Sequence, residues 1–177
     1  MKGLVFTEFS EMVEEKFGDE MLEQLFEDCG DDGVFVATDT YDFTRLVSLV
    51  VALSKHSGIE VSVLIEAFGY HLAGVFKTKF ASFFEEHNTS VSMLKAIDDH
   101  IHVEVKKLYP KAELPKFDYV ESNGEFKINY ESARPFAPLA LGLIRGVVDV
   151  FEETYKIEYE DRSEGRGTKA TFYLRGA

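Results

Sequence analysis

The sequence predicts an α+β fold, with an N-terminal helical subdomain followed by helices packed on a small antiparallel sheet. Three observations carry that prediction. Apolar residues recur at helical spacing as far as Leu108. After Pro110 and Pro115 the pattern changes to short alternating runs, Phe117-Asp118-Tyr119-Val120 and Phe126-Lys127-Ile128-Asn129-Tyr130, around Ser122-Asn123-Gly124. The end reads as a hairpin, Lys156 to Glu160 and Thr168 to Leu174, around Gly165-Arg166-Gly167.

A first amphipathic helix is expected from about 2 to 17, because Val5, Phe9, Met12, Val13 and Phe17 share a face and Gly18 can end it. A second short helix follows from about 19 to 29, with Met21, Leu22, Leu25 and Phe26 apolar. Gly30-Asp31-Asp32-Gly33 is a turn, and Val34-Phe35-Val36 a short extended piece. Thr40-Tyr41-Asp42 opens a third helix, faced by Leu46, Leu49, Val50 and Leu53 and stopped at Ser57-Gly58. From about Val61 to Phe80 the chain is apolar on more than one face, which marks a buried helix. Gly69 and Gly74 inside it each cost about 1 kcal/mol relative to alanine, so something comes close to the backbone: a second helix or a flat ligand. Residues from about 90 to 108 form one further helix, striped by Leu94, Ile97, Ile101, Val105 and Leu108 and stopped by Pro110. His100 and His102 sit on its opposite shoulders, and periodicity does not choose between them. A last helix runs from about Phe136 to Tyr155 behind Pro135 and Pro138.

A chain of 177 residues is expected to be one domain over 1–177, divided into a helical part over about 1–60 and an α/β part over about 61–177. At this length folding buries roughly 70% of the unfolded surface, enough for a core that encloses a cofactor. Phe 16 and Tyr 8, with no Trp, suit a flat apolar ligand and equally a plain core. The net charge of -13 argues against nucleic acid and against an anionic membrane surface, while a basic protein partner is compatible with it. With Cys29 as the one cysteine, no intramolecular disulfide and no thiolate-built zinc or iron–sulfur site is expected. No run approaches about 18 apolar residues, so no membrane span is expected. The opening stretch reaches Glu8 too soon for a secretory signal. A cytoplasmic location is therefore expected, and the sequon Asn88-Thr89-Ser90 is chance.

Two constellations carry candidate chemistry. A helical histidine is commonly a surface or capping residue, but a neutral imidazole is also the commonest axial ligand of heme iron, and His102 admits both readings. Tyr130, Ser132 and Arg134 alternate, and on a strand they would point to one side. They would offer a phenol, a hydroxyl and a planar guanidinium fork, which suits a pair of carboxylates, or they would simply be a solvent face.

Taken together, Tyr130-x-Ser132-x-Arg134 after a strand, the run His102 to Pro110, Leu114-Pro115, the opening Met1-Lys2-Gly3 and the stretch Leu141 to Gly146 resemble the heme nitric oxide/oxygen-binding (H-NOX) family over nearly the whole chain. The resemblance implies heme b, iron protoporphyrin IX, buried between the helical and α/β parts, with His102 as its iron ligand. It implies that Tyr130, Ser132 and Arg134 hold the propionates and that Pro115 presses on the porphyrin. Val5, Phe9, Leu72, Phe76, Leu139 and Leu143 match positions that line the gas pocket or pack on the heme, and Gly69 lets its helix approach the ring. His100 becomes a surface neighbour and His71 a residue at the edge of the pocket, and the sequence leaves open whether the neighbouring Tyr70 enters it.

The resemblance further implies a sensor and not an enzyme. Nitric oxide and carbon monoxide are its expected ligands and oxygen is excluded, because family members that retain oxygen carry a tyrosine where this chain has Leu139. Release of the proximal histidine would signal to a separate partner, a histidine kinase or a cyclic-di-GMP enzyme. The alternatives are an oxygen-binding protein or heme enzyme of the same fold, with His71 as the candidate acid–base group, and a heme-free interaction domain.

Overall fold

The computed structural model describes residues 1–97, 102–108 and 113–176. The chain divides into two compact units, Met1–Phe68 and Gly69–Ala177.

The first unit holds α1 (Gly3–Phe17), α2 (Asp19–Cys29), α3 (Phe43–Ser57) and the start of α4 (Val61–Lys79). Local signals set their ends. Asp42 caps α3 by accepting from the Thr44 N–H at 2.9 Å, and Gly58 closes it in the left-handed region. The buried stripe of α1 is Phe6, Phe9, Met12 and Val13, which rotates the expected face slightly and leaves Val5 half-buried. Phe9 meets Phe68 edge-on, with ring centroids 5.3 Å apart. Val34 to Val36, expected to be extended, belong to none of the strands, and Lys2 and Thr40 form an isolated bridge nearby.

The second unit holds the rest of α4, α5 (Ala81–Glu85), α6 (Ser90–Ala96), α7 (His102–Leu108), β1 (Lys116–Ser122), β2 (Glu125–Glu131), α8 (Ala137–Val150), β3 (Tyr155–Asp161) and β4 (Lys169–Gly176). The sheet is antiparallel, in the order β1-β2-β4-β3. Asn123 and Gly124, at φ 52 and 77, turn β1 into β2, because a two-residue hairpin turn of this hand needs both residues at positive φ. One face of the sheet, through Phe126, Ile128, Tyr130, Ala170, Phe172 and Leu174, joins a buried core with Ala140, Leu141, Ile144, Val147 and Val148 of α8.

The helix expected over 90–108 is described in two stretches, α6 and α7, with His100 and the stop at Pro110 outside the described residues. One expected boundary changes. The helix expected to reach Tyr155 ends at Val150, where the Glu153 N–H turns back to the Val148 carbonyl and Glu152 adopts φ 54. Among the described residues no single helix is long and apolar enough to cross a membrane.

Gly69 resolves the question its helix raised. A Cβ there would lie 2.2 Å from the Leu139 carbonyl oxygen and 3.0 Å from the Leu143 nitrogen. At Gly146 of α8, a Cβ would lie 2.5 Å from the Ala73 Cβ. The space these glycines leave is therefore filled by the facing helix, with α4 and α8 crossing at near-contact. Of the two occupants the sequence left open at Gly69, the second helix is the one that stands against it.

Gly69→Ala sets two effects against each other. Alanine gains about 1 kcal/mol of helix propensity, but forcing a methyl into packed backbone costs about 1–3 kcal/mol. Backbone yields less readily than a side chain, so the clash wins and Tm falls by several degrees. A variant melting at or above the parent temperature refutes the crossing.

Candidate functional site

The second unit brings both sequence constellations onto neighbouring segments. His102 opens α7, half-buried, and its imidazole stacks on the Phe117 ring of β1, with centroids 5.9 Å apart and planes 24° apart. Phe117 also touches the Tyr130 ring at 5.6 Å, since the two residues are cross-strand partners in the β1–β2 register. One phenylalanine thus stands against both the histidine and the first of the three donors.

Those donors converge, although not by the expected route. Strand β2 ends at Glu131, so alternation places Tyr130 on the buried face but does not place Ser132 or Arg134. A bend does so instead. The Ser132 N–H donates to the Thr168 carbonyl at 2.9 Å, and the Ala137 N–H donates to the Gly167 carbonyl at 2.9 Å, which pins the bend against the turn before β4. Inside it the Arg134 N–H donates to Ser132 Oγ at 3.1 Å. Pro135 carries no N–H, so it cannot extend the β2 ladder through this segment.

Burial pushes the Tyr130 phenol above its ordinary pKa, against smaller opposing effects from the Ser132 hydroxyl and the Arg134 charge. The phenol therefore stays protonated and available as a donor. Arg134 is 19% exposed and donates through Nη2 to Glu113 Oε2 at 3.3 Å, while Glu113 itself is 72% exposed. So exposed a partner contributes little to stability. A phenol, a hydroxyl and a guanidinium make a donor set that fits the carboxylate edge of a heme.

Pro115 is half-buried just ahead of β1, two residues from Phe117. Leu72 is buried on α4, Phe76 is half-buried further along it, and Leu139 and Leu143 are half-buried on α8. In the first unit, Val5 is half-buried and Phe9 fully buried on α1. Tyr70 is 48% exposed, and its hydroxyl donates to Asp149 Oδ2 at 2.7 Å. That bond engages it at the surface of α8. His71 is half-buried on α4.

Sequence reasoning missed Phe117 as a site residue. Its alternation with Tyr119 marks a shared face, but nothing local says which ring lies opposite that face.

The sequence model of the family described as haem-NO-binding matches residues 2–159. Among solved structures, the Fe(II) unliganded H-NOX protein of K. algicida is 31% identical with a TM-score of 0.92, covering 100% of this chain and 97% of that one. The H-NOX of Shewanella woodyi, solved with IWP-051 in the Fe(II)CO state, is 36% identical with a TM-score of 0.84, covering 100% and 95%. An H-NOX of S. oneidensis in the Fe(II)NO state shares the fold at a TM-score of 0.90 and 24% identity, covering 99% and 98%. No curated protein sequence matches the chain.

Proposed function

Given that the chain belongs to the haem-NO-binding family, whose members are heme-based gas sensors, we propose that it senses nitric oxide, also takes carbon monoxide, and passes over oxygen. Heme, the family's cofactor, would supply a ferrous iron that binds a diatomic gas. His102 would hold that iron. Tyr130, Ser132 and Arg134 hold the propionates, and Pro115 lies against the porphyrin.

The observation that carries the selectivity is the lack of a proton donor at the matched gas-facing positions. Val5, Phe9, Leu72 and Leu139 are all hydrocarbon, and the Tyr70 hydroxyl is already bonded to Asp149. Oxygen draws charge onto itself and gains from a donor, whereas nitric oxide holds ferrous iron without one. A missing hydrogen bond in a dry site forgoes on the order of 1 kcal/mol or more.

The signal would be carried by His102, whose hold on the iron would differ between the two states. A switch needs such differential affinity. A separate histidine kinase or cyclic-di-GMP enzyme reads the change, and a net charge of -13 suits a basic docking face on that partner. The protein is a sensor and not an enzyme. The test is the absorption spectrum of the reduced protein alone and under nitric oxide, carbon monoxide and air. Distinct nitric oxide and carbon monoxide spectra with none for oxygen support the reading, and a protein that keeps oxygen in air sinks it.

The propionate assignment has its own test. A hydrogen bond to a charged group contributes about 1.5–3 kcal/mol, so Arg134→Ala should speed transfer of heme to a scavenging apoprotein by about 10–100-fold. An unchanged transfer rate moves the carboxylates elsewhere.

A further inference from the structure

His102 stands on α7, where Val103, Lys106 and Lys107 are exposed. One neighbour of its ring is fixed in the sheet. This neighbour, Phe117, belongs to β1, paired to β2 from Lys116↔Glu131 through Ser122↔Glu125. Phe117 starts a run of near-parallel rings: Phe117 to Tyr119 at 6.2 Å and 15°, then Tyr119 to Phe126 at 5.8 Å and 7°. The Tyr119 hydroxyl donates to the Leu94 carbonyl at 2.9 Å, which ties the run to α6. Tyr130 braces Phe117 from the adjacent strand. The imidazole thus joins a stack whose other members are fixed in sheet and core.

From this geometry we infer that Phe117 is a positioning residue for His102: its ring sets the plane of the imidazole, and so governs how firmly His102 holds the metal and how readily it lets go. The inference rests on His102 being the iron ligand. An imidazole bonds a metal through one in-plane lone pair, so tilting the ring weakens the bond even when the nitrogen stays in reach. Partners around a metal ligand commonly act through this orientation. Here a flat ring at stacking distance takes that role, and offset stacking within about 4.5–7 Å is a favoured aromatic geometry. The same ring touches Tyr130, so ligand and propionate donor share one support.

The experiment compares the parent protein with Phe117→Leu and Phe117→Tyr, all heme-loaded and reduced. The readouts are the iron–imidazole stretching band and the rate at which His102 detaches after nitric oxide is added. Leucine removes the flat surface, so the band should broaden and shift to lower frequency. Detachment should quicken by about threefold to tenfold, the range an aromatic pair contributes. Tyrosine keeps the ring and should restore parental values. A leucine variant with parental band and rate at parental heme content overturns the inference. If the leucine variant does not fold, Phe117→Met, a flexible filler without a flat face, replaces it under the same two outcomes. A parent protein with no iron–imidazole band fails differently: the ligand assignment is then wrong, and this inference falls with it.

Discussion

His102→Gly is expected to yield a folded protein that retains little heme until imidazole is supplied in solution. The substitution removes the one side chain assigned to the iron and leaves a gap the size of its ring beside Phe117. Free imidazole can occupy that gap and restore the bond without being tethered to α7. Loss of a mere supporting partner weakens metal binding by about 10–100-fold, and loss of the ligand itself should exceed that. Glycine adds about 1 kcal/mol of helix cost, but at the first residue of a short helix this does not threaten the unit, whose core lies in the sheet and α8. The measurements are heme content, the melting curve, and the spectrum with and without imidazole. A variant that takes up heme with an unchanged spectrum would transfer the ligand role to another residue, of which His100 is the nearest in sequence.

How much of this was written in the sequence depends on the range of the interaction. Helix faces and the β1–β2 turn follow from periodicity and from Asn123-Gly124, because both are set by neighbours a few residues away. Tyr130 was legible for the same reason, since its burial follows strand alternation with Phe126 and Ile128. The chemistry of Ser132 and Arg134 is legible too, but strand alternation does not gather them: a bend held by the Thr168 and Gly167 carbonyls does. Gly69 announced a close approach without saying to what, because its counterpart, Leu139, is far along the chain. Periodicity could not separate His102 from His100. The resemblance made that choice, and the Phe117 stack gives it a physical setting for His102. Phe117 is not legible as a site residue because its role depends on contacts to other elements, α7 and β2.

Leu139→Tyr is expected to raise oxygen affinity by about fivefold to tenfold while leaving nitric oxide binding nearly unchanged. The added phenol would supply a hydrogen bond worth on the order of 1 kcal/mol or more in a dry site, and each 1.4 kcal/mol is a factor of ten. The backbone at 139 is held in place, since its carbonyl sits against Gly69, so the new side chain departs from a fixed origin. Overpacking would cost about 1–3 kcal/mol in a filled core, but Leu139 is half-buried, so the cost should fall toward the lower end. Melting temperature checks that the variant folds. A folded variant with unchanged oxygen affinity removes Leu139 from the gas-facing surface and the selectivity argument with it. Tyr70→Phe is the matching control. The Tyr70 hydroxyl is committed to Asp149, so deleting it should disturb the α4–α8 surface and leave gas preference alone. If instead that deletion changes oxygen retention, the donor that decides selectivity is Tyr70, and the phenol built at 139 would be competing with one already present.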